Sequence, residues 1–583
     1  MHDRRKTVWL LGVVASMALL AAACGSSSKN NTPQASNTTV APPTTGAPTS
    51  NVKKGGTLNY GADQEPTGFN NNTSKDNGTS VVNVMDRVWP SAFHYYPDFT
   101  VHYDKDLLTS DPQVTNQDPQ TIVFNLNPKA TWSDGVPISA DDFIYFWNQQ
   151  KDPTHTNDSC TDGCAQNGKP IDDATDGTGY RNIDTIVGSN NGKTVTVTFK
   201  KGQPFADWRS LFQIMPPAHI AQKVGWNDGF DKFDPAVVIS GAPFKIASYH
   251  PGTDLTLAPN PSYWGTPANL DQIVFHFITD STQQVPALQN KEVDMIYPQP
   301  QLDQVNQVKQ LSDVTSQINF GLSFEHIDFN QKNAFLSDEV VRKAIALALD
   351  RKAIVAATVG QFSSSATVLN NRMFVNNQPE YQDTSGGLYN TPQVATAKTN
   401  LQNDGFTMGS GGYFTKGGKT LNLRISTTQG NALRESEEEV IQSQLKAAGI
   451  QITIVNYKSS DLFGTELPKG NFDIGLFAWV STPFPSGNNP IYATGSGSNY
   501  DNFGYPDLDA KLTAGAAALD HATETADYNA ADMIAWQHMV TLPLFQKPTF
   551  IAVRNTFANV ADNATSEGPF WNAETWGLKV SAQ

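Results

Sequence analysis

The stretch that most constrains this 583-residue chain is a helix that stops on a glycine and runs into a strand. From about Leu433 to Ala448 apolar side chains recur at helical spacing, Gly449 supplies the stop, and Gln451, Ile452, Thr453, Ile454 and Val455 continue as a strand. A helix that folds back on the strand after it belongs to an α/β layer. The same mixture recurs along the chain. Residues 121–126 and 194–199 alternate as half-buried strands do, the second more cleanly. Ser139 caps a helix that opens on Ala140, Asp141 and Asp142 and continues with Phe143, Ile144, Tyr145, Phe146 and Trp147. Ser337, Asp338 and Glu339 announce another, with Val340, Val341, Ala344, Ile345 and Ala348 as its apolar stripe. No internal repeat of about 20–50 residues occurs, which disfavours solenoids and propellers.

With 39 % hydrophobic and 16 % charged residues, the chain is too apolar to be disordered throughout and long enough for two or three domains. Three cysteines cannot staple a chain of this size, so its core must come from ordinary hydrophobic burial. Arg4, Arg5 and Lys6 precede a 16-residue apolar run from Val8 to Ala23, too short for a membrane span. The run ends in small residues before Cys24, which predicts a signal peptide over residues 1–23 with Cys24 as the acylated residue of a lipoprotein. A cleaved secretory signal with an incidental cysteine, or an uncleaved anchor, is the alternative. Residues 24–52 hold almost no large apolar side chain and are expected to form a disordered tether. Acids outnumber bases by 56 to 40, giving −16, or −18 without residues 1–23. A general nucleic-acid partner is disfavoured, because phosphate binding needs a positive surface.

Catalytic and cofactor motifs are missing. The ten histidines include no His-Glu-x-x-His pair, and Gly495, Ser496, Gly497 and Ser498 imitate only part of a nucleophile elbow. Gly417-Gly418-Lys419-Thr420 and Gly192-Lys193-Thr194 lack the earlier glycine of a phosphate loop and precede alternating strands, so they read as hairpin turns. Carboxylate pairs are too common among 56 acids to exclude a secreted hydrolase, but nothing supports an enzyme.

Four ordered groups of motifs run from about Gly55 to Thr556. One is the strand from Val123, the turn Trp132-Ser133-Asp134-Gly135 and the capped helix at Ser139. Another runs through Gly241-Ala242-Pro243-Phe244, Asn260-Pro261-Ser262-Tyr263-Trp264 and Glu292-Val293-Asp294. The third is the helix from Ser337 to Ile354 with Arg342, Asp350 and Arg351. The last joins Asn499-Tyr500-Asp501-Asn502-Phe503 to Leu542-Pro543-Leu544-Phe545. In this order they resemble the bacterial extracellular solute-binding proteins of the peptide/nickel class, family 5, receptors of ABC importers, the third being similar to the family's helix at the start of the second lobe. The resemblance implies an α/β, two-lobe periplasmic-binding-protein fold (type II, cluster C) with an extra subdomain in the first lobe. By analogy, residues 53–318 form lobe I with the insert at about 91–182, residues 319–546 form lobe II, and residues 547–583 return to lobe I.

The implied site is an aromatic cleft closed by hinge motion. Three stretches have that character: the loop with Glu65, Phe69 and Asn70; the segment from Trp89 to Tyr95 and Tyr96; and Phe477, Trp479, Val480, Ser481, Thr482 and Phe484. Core packing is the alternative for Phe477, Trp479 and Phe484, and equally for Trp89, Phe93, Tyr95 and Tyr96. In peptide receptors of the family an aspartate three residues after the cleft tryptophan pairs with the ligand's ammonium. Here that place is Thr482, a hydroxyl that cannot compensate a buried charge, and Glu65 is the candidate substitute. An uncharged aromatic cleft suits a sugar, a capped or modified peptide, or an envelope fragment better than a peptide with a free amino terminus. In an oxidising exported setting Cys160 and Cys164 are expected to form a small disulfide; metal ligation there has only His155 near in sequence. The resulting expectation is a monomeric receptor, palmitate-anchored to the membrane on its extracytoplasmic side and serving an ABC permease, with no catalytic residue, cofactor or metal. The rival is a non-transport envelope regulator or scaffold on the same fold.

Overall fold

The computed structural model describes residues 51–73, 75–151 and 177–580, so Cys24, His155, Cys160 and Cys164 lie outside the described residues. Two strands organise the fold. Val314–Phe329 has 16 residues and Thr541–Arg554 has 14, and they pair antiparallel along nearly their whole length. They form the centre of a ten-stranded sheet. On one flank are Ile474–Val480, Asn422–Ser426 and Gln451–Ile454; on the other are Met295–Ile296, Thr57–Ala62, Gln272–Phe277, Asp254–Pro259 and Phe244–His250. Each flank carries its own core. One holds Leu58, Tyr60, Trp89, Phe124, Trp132 and Phe275 together with Phe570 and Trp576 from the end of the chain. The other is built from residues between Ile327 and Phe545. These are the two lobes of the α/β fold.

The long strands lose register midway. Phe320 faces Pro548, but the next pair is Phe324 with Gln546, and a second slip falls between Glu325 and His326. Such bulges bend a strand and sharpen its twist. They lie between the two cores.

A separate four-stranded sheet, in the order Gln113–Gln117, Gln120–Asn125, Thr194–Phe199 and Ile183–Ser189, packs into the first core. Thr194–Phe199 buries every second side chain, as its alternation predicts. The helix Ala140–Gln150 starts where Ser139 Oγ accepts from Asp141 N and Asp142 Oδ2 accepts from Ser139 N at 2.9 Å. Asp142 Oδ1 also accepts from Trp132 Nε1 at 3.2 Å and Ala218 N at 3.0 Å. One carboxylate thereby ties the Trp132 turn, the helix start and a second helix together. The turn itself needs Gly135, whose φ is +91°.

The segment from Ser337 to Ile354 is two helices rather than one. Glu339–Ala348 ends at Leu349, and Asp350 caps a new helix, Arg351–Ala357, by accepting from Ala353 N at 3.0 Å. Asp338 caps the first by accepting from Val340 N at 2.9 Å. Ala432–Ala447 leads through Gly449, φ +80°, into Gln451–Ile454. Lys416 and Lys419 flank a hairpin turn at Gly417 and Gly418. Among the described residues no helix is long and apolar enough to cross a membrane.

Candidate functional site

Two adjoining cavities of about 240 and 230 Å³ lie between the lobes and share Asn77, Val82, Trp479, Val480 and Ser566 in their walls. One wall is the end of the strand Ile474–Val480. Its first four residues are buried in the second lobe, and Ala478, Trp479 and Val480 emerge half-buried at the cavities. The Trp479 ring lies near-parallel to those of His326 at 6.1 Å and Tyr500 at 6.0 Å, with Phe477 edge-on at 5.3 Å. Its indole N–H is buried with no acceptor among the described residues. A ring held on three sides offers a rigid apolar face at little entropic cost.

The long strands supply Ser323, Lys547, Pro548 and Thr549 to the first cavity, where Arg434 from the helix Ala432–Ala447 joins them. Behind these cations stands Glu325, fully buried, 2.7 Å from Arg434 Nε and 3.1 Å from Lys547 Nζ. Burial works to raise the Glu325 carboxyl, but the Arg434 and Lys547 charges outweigh it and hold it at about 2. Burial pushes the neighbouring Glu437 carboxyl well up, reinforced by the charge of Glu325. Burial likewise raises Asp63 in the cavity wall, against a hydrogen bond with Gln299 and the charge of Lys547. Glu325 is therefore the carboxylate that the two cations of this floor share.

The second cavity reaches Asp86 and Glu567. Ligand atoms of Asp86, His94 and Glu567 lie within 4.8 Å of one another. Cationic groups already fill this cluster: Arg87 is 2.8 Å from Asp86 and 3.5 Å from Glu567, and His94 lies 3.4 Å from Glu567. Burial works to lower the His94 imidazolium, but Glu567 and a hydrogen bond with Asp104 hold it at about 10. A protonated imidazole offers no lone pair to a metal.

The site residues expected from sequence divide. Glu65, Phe477, Trp479 and Val480 line the first cavity, and Tyr95, Trp479, Val480, Ser481 and Thr482 line the second. Phe69 and Asn70 do not line either cavity. Phe69 packs edge-on against Tyr249 in the first core, and Asn70 Nδ2 donates to Trp226 O at 2.9 Å. Trp89 and Phe93 are fully buried in the same core. Tyr96 packs on His102 and Trp571, and Phe484 meets Tyr95 edge-on at 5.8 Å as a contact between the lobes. Thr482 Oγ accepts from Phe484 N and donates to Phe484 O in a local turn. Glu65 accepts from Tyr249 Oη at 2.6 Å and Gly252 N at 2.8 Å, and it lines a different cavity from Thr482. Sequence reasoning missed Glu325, Arg434, Tyr500 and Lys547. The available signal was Lys547 alone within the apolar run 542–553, and Glu325 within another.

This architecture has known counterparts. The orthorhombic structure of the periplasmic EDTA-binding protein EppA matches with a TM-score of 0.80 at 31 % identity, over 92 % of this chain and 99 % of that one. The oligopeptide-binding protein AppA from Bacillus subtilis, in complex with a nonapeptide, shares the fold at 20 % identity and a TM-score of 0.79, over 91 % of this chain and all of the other. The oligopeptide-binding protein OppA of Mycobacterium tuberculosis H37Rv is 29 % identical over 516 residues, 87 % of this chain and 83 % of that protein. Residues 31–502 match the model of bacterial extracellular solute-binding proteins, family 5 Middle. The chain belongs to the family 5 bacterial extracellular solute-binding proteins.

Proposed function

We propose that this protein is a lipid-anchored receptor on the extracytoplasmic side of the membrane, which captures an oligopeptide-like or other small polar ligand between its lobes and delivers it to an ABC permease. The observation that carries the reading is Trp479, braced by His326, Phe477 and Tyr500 in the wall shared by both cavities. OppA and AppA, with which the chain shares family and fold, are named for binding oligopeptides. Cys24 is the acylated residue and residues 24–52 the tether in this reading.

The ligand lies along the two joined cavities with an apolar or planar portion on Trp479. Backbone-like polar groups suit the walls better than a free ammonium, because Thr482 is neutral and both acids of the second cavity already face Arg87 and His94. The bulged middle of the long strands is the hinge, and closure removes the ligand from water. Docking on the permease favours reopening.

Native mass spectra of the exported protein, purified without refolding, test this. A discrete added mass of peptide or sugar size is expected. Trp479→Ala should lower retention of that mass at least about tenfold, the effect of losing a central aromatic anchor. A clean protein mass that does not shift with peptide or sugar pools would sink the receptor reading.

A further inference from the structure

We propose that closure of the two lobes is proton-linked through Asp207 and Glu524, a carboxyl pair that meets across the lobe interface and needs one shared proton to do so. This rests on the hinge closure invoked above and adds a control that the receptor role does not require. Asp207 follows the strand Thr194–Phe199 in the first lobe, and Glu524 sits in the first turn of the helix His521–His538 in the second. Both are almost fully buried, at 5 % and 6 % exposure.

The surrounding contacts belong to a closed interface. Ala206 N donates to Ala516 O at 2.9 Å, Ser486 N donates to Asp207 Oδ2 at 3.1 Å, and Ala516 packs into the core of the first lobe. Asp207 thus receives a donor from the opposite lobe, whereas Glu524 Oε1 is buried with no donor among the described residues. The Asp207 and Glu524 side chains lie within hydrogen-bonding reach of each other, and two carboxylates so placed in a dry interface repel until a single proton turns the repulsion into a hydrogen bond. The other charged groups nearby do not supply a substitute. His521 Nδ1 lies 3.3 Å from Glu524 Oε2, but its ring is largely solvent-exposed and its Nε2 faces Glu380 at 3.0 Å. Arg209, two residues from Asp207, is committed to Asp111 at 2.7 Å.

The titration follows the same direction. Burial raises the Glu524 carboxyl to about 9, with the charge of Asp207 across the interface and that of Glu380 on its own side both adding to it. Burial raises Asp207 as well, against hydrogen bonds from Ser486. Opening returns both groups to water and to the ordinary carboxyl range. Closing therefore takes up a proton from solvent and opening releases it. A group raised in the closed state favours closure fully below its open-state value and stops doing so as pH rises through its closed-state value. The closed-to-open ratio should fall by up to about tenfold per pH unit between those limits. Another bridge between the lobes, Ser281 Oγ to Gly430 O at 3.2 Å, is neutral and carries no such dependence.

Small-angle scattering of the full exported protein without added ligand, from about pH 5 to about pH 10, reads this directly. The wild-type radius of gyration should increase toward alkaline pH. Glu524→Gln, which keeps the shape and can donate to Asp207, should stay compact across the range. Asp207→Asn should do the same and serves if the first variant misfolds, with circular dichroism as the check on folding. His521→Asn should leave the alkaline expansion in place. A flat wild-type profile overturns the proposal, and so does an expansion that neither amide variant removes. Because no ligand enters the measurement, failure to find a ligand would count against the receptor reading alone.

Discussion

Glu325→Gln is expected to lower the stability of the folded chain by about 3–5 kcal/mol, the cost of removing one partner from a buried charge group. Glu325 is fully buried and faces Arg434 at 2.7 Å and Lys547 at 3.1 Å, so the amide leaves two buried cations with no ionised carboxylate between them. Glu437 is the nearest alternative anion, but burial, the largest influence on it, still raises its carboxyl in the variant, and its oxygens are buried without donors among the described residues. Urea unfolding should show a lower midpoint with an unchanged slope, because the loss is of stability and not of buried surface. Replacing Lys547 by Met in the same chain should recover part of the loss, as an uncharged, well-packed side chain removes the unpaired ammonium. The pH dependence has a fixed sign. The Glu325 carboxyl is depressed in the folded protein, so its contribution is complete above the ordinary glutamate range and is lost as pH falls through about 2. The variant should lack that acid-side loss. A change below about 1 kcal/mol would mean that the Arg434–Lys547 pair needs no central anion and that its charges are compensated elsewhere.

The same cluster shows where the sequence stops being informative. Local patterns carried far: the alternation of residues 194–199, the Ser139 and Asp142 box and the glycine stop at Gly449 each depend on neighbours within a few positions, and each element formed where its pattern lies. The break inside 337–354 was also written locally, in an Asp350 that caps the second helix, but an unbroken apolar stripe masked it. The long central strands were harder to read. Val314–Phe329 is buried on both faces from Phe320 onward, so it has no alternation, and Glu325, His326 and Asp328 look like surface residues until the sheet is assembled. Phe69, Asn70 and Phe484 failed to reach the cavities for another reason. An aromatic loop has one composition whether it packs inward or lines a cleft, and only long-range contacts, Phe69 on Tyr249 and Phe484 on Tyr95, separate the two. Trp479 was found through resemblance, whereas its bracing by His326 and Tyr500 needed the fold.

Gly321→Ala should have the second large effect, about 3 kcal/mol of destabilisation, from crowding the strand centre and not from backbone strain. Gly321 begins the bulge between the pairs Phe320 with Pro548 and Phe324 with Gln546. Its carbonyl accepts from Gln546 Nε2 at 2.8 Å, and the next amide, Leu322 N, donates to Ala564 O at 2.7 Å. A Cβ at residue 321 would overlap the carbonyl and the side chain of Ala564, leaving no flexible side-chain end to swing away. The substitution must therefore push residues 564–566 off the strand, and those residues line the first cavity. Loss of stability and loss of retained ligand should appear together. Gly135→Ala is the informative comparison, because Gly135 has φ +91° with open space around its missing side chain. It should cost only about 1–2 kcal/mol of backbone strain and leave ligand retention unchanged. If Gly321→Ala proves as mild as Gly135→Ala in urea unfolding and retains ligand equally well, the Ala564 segment yields freely. The bulge would then be a loose joint, and the contacts at Gln546 and Ala564 would not define the hinge.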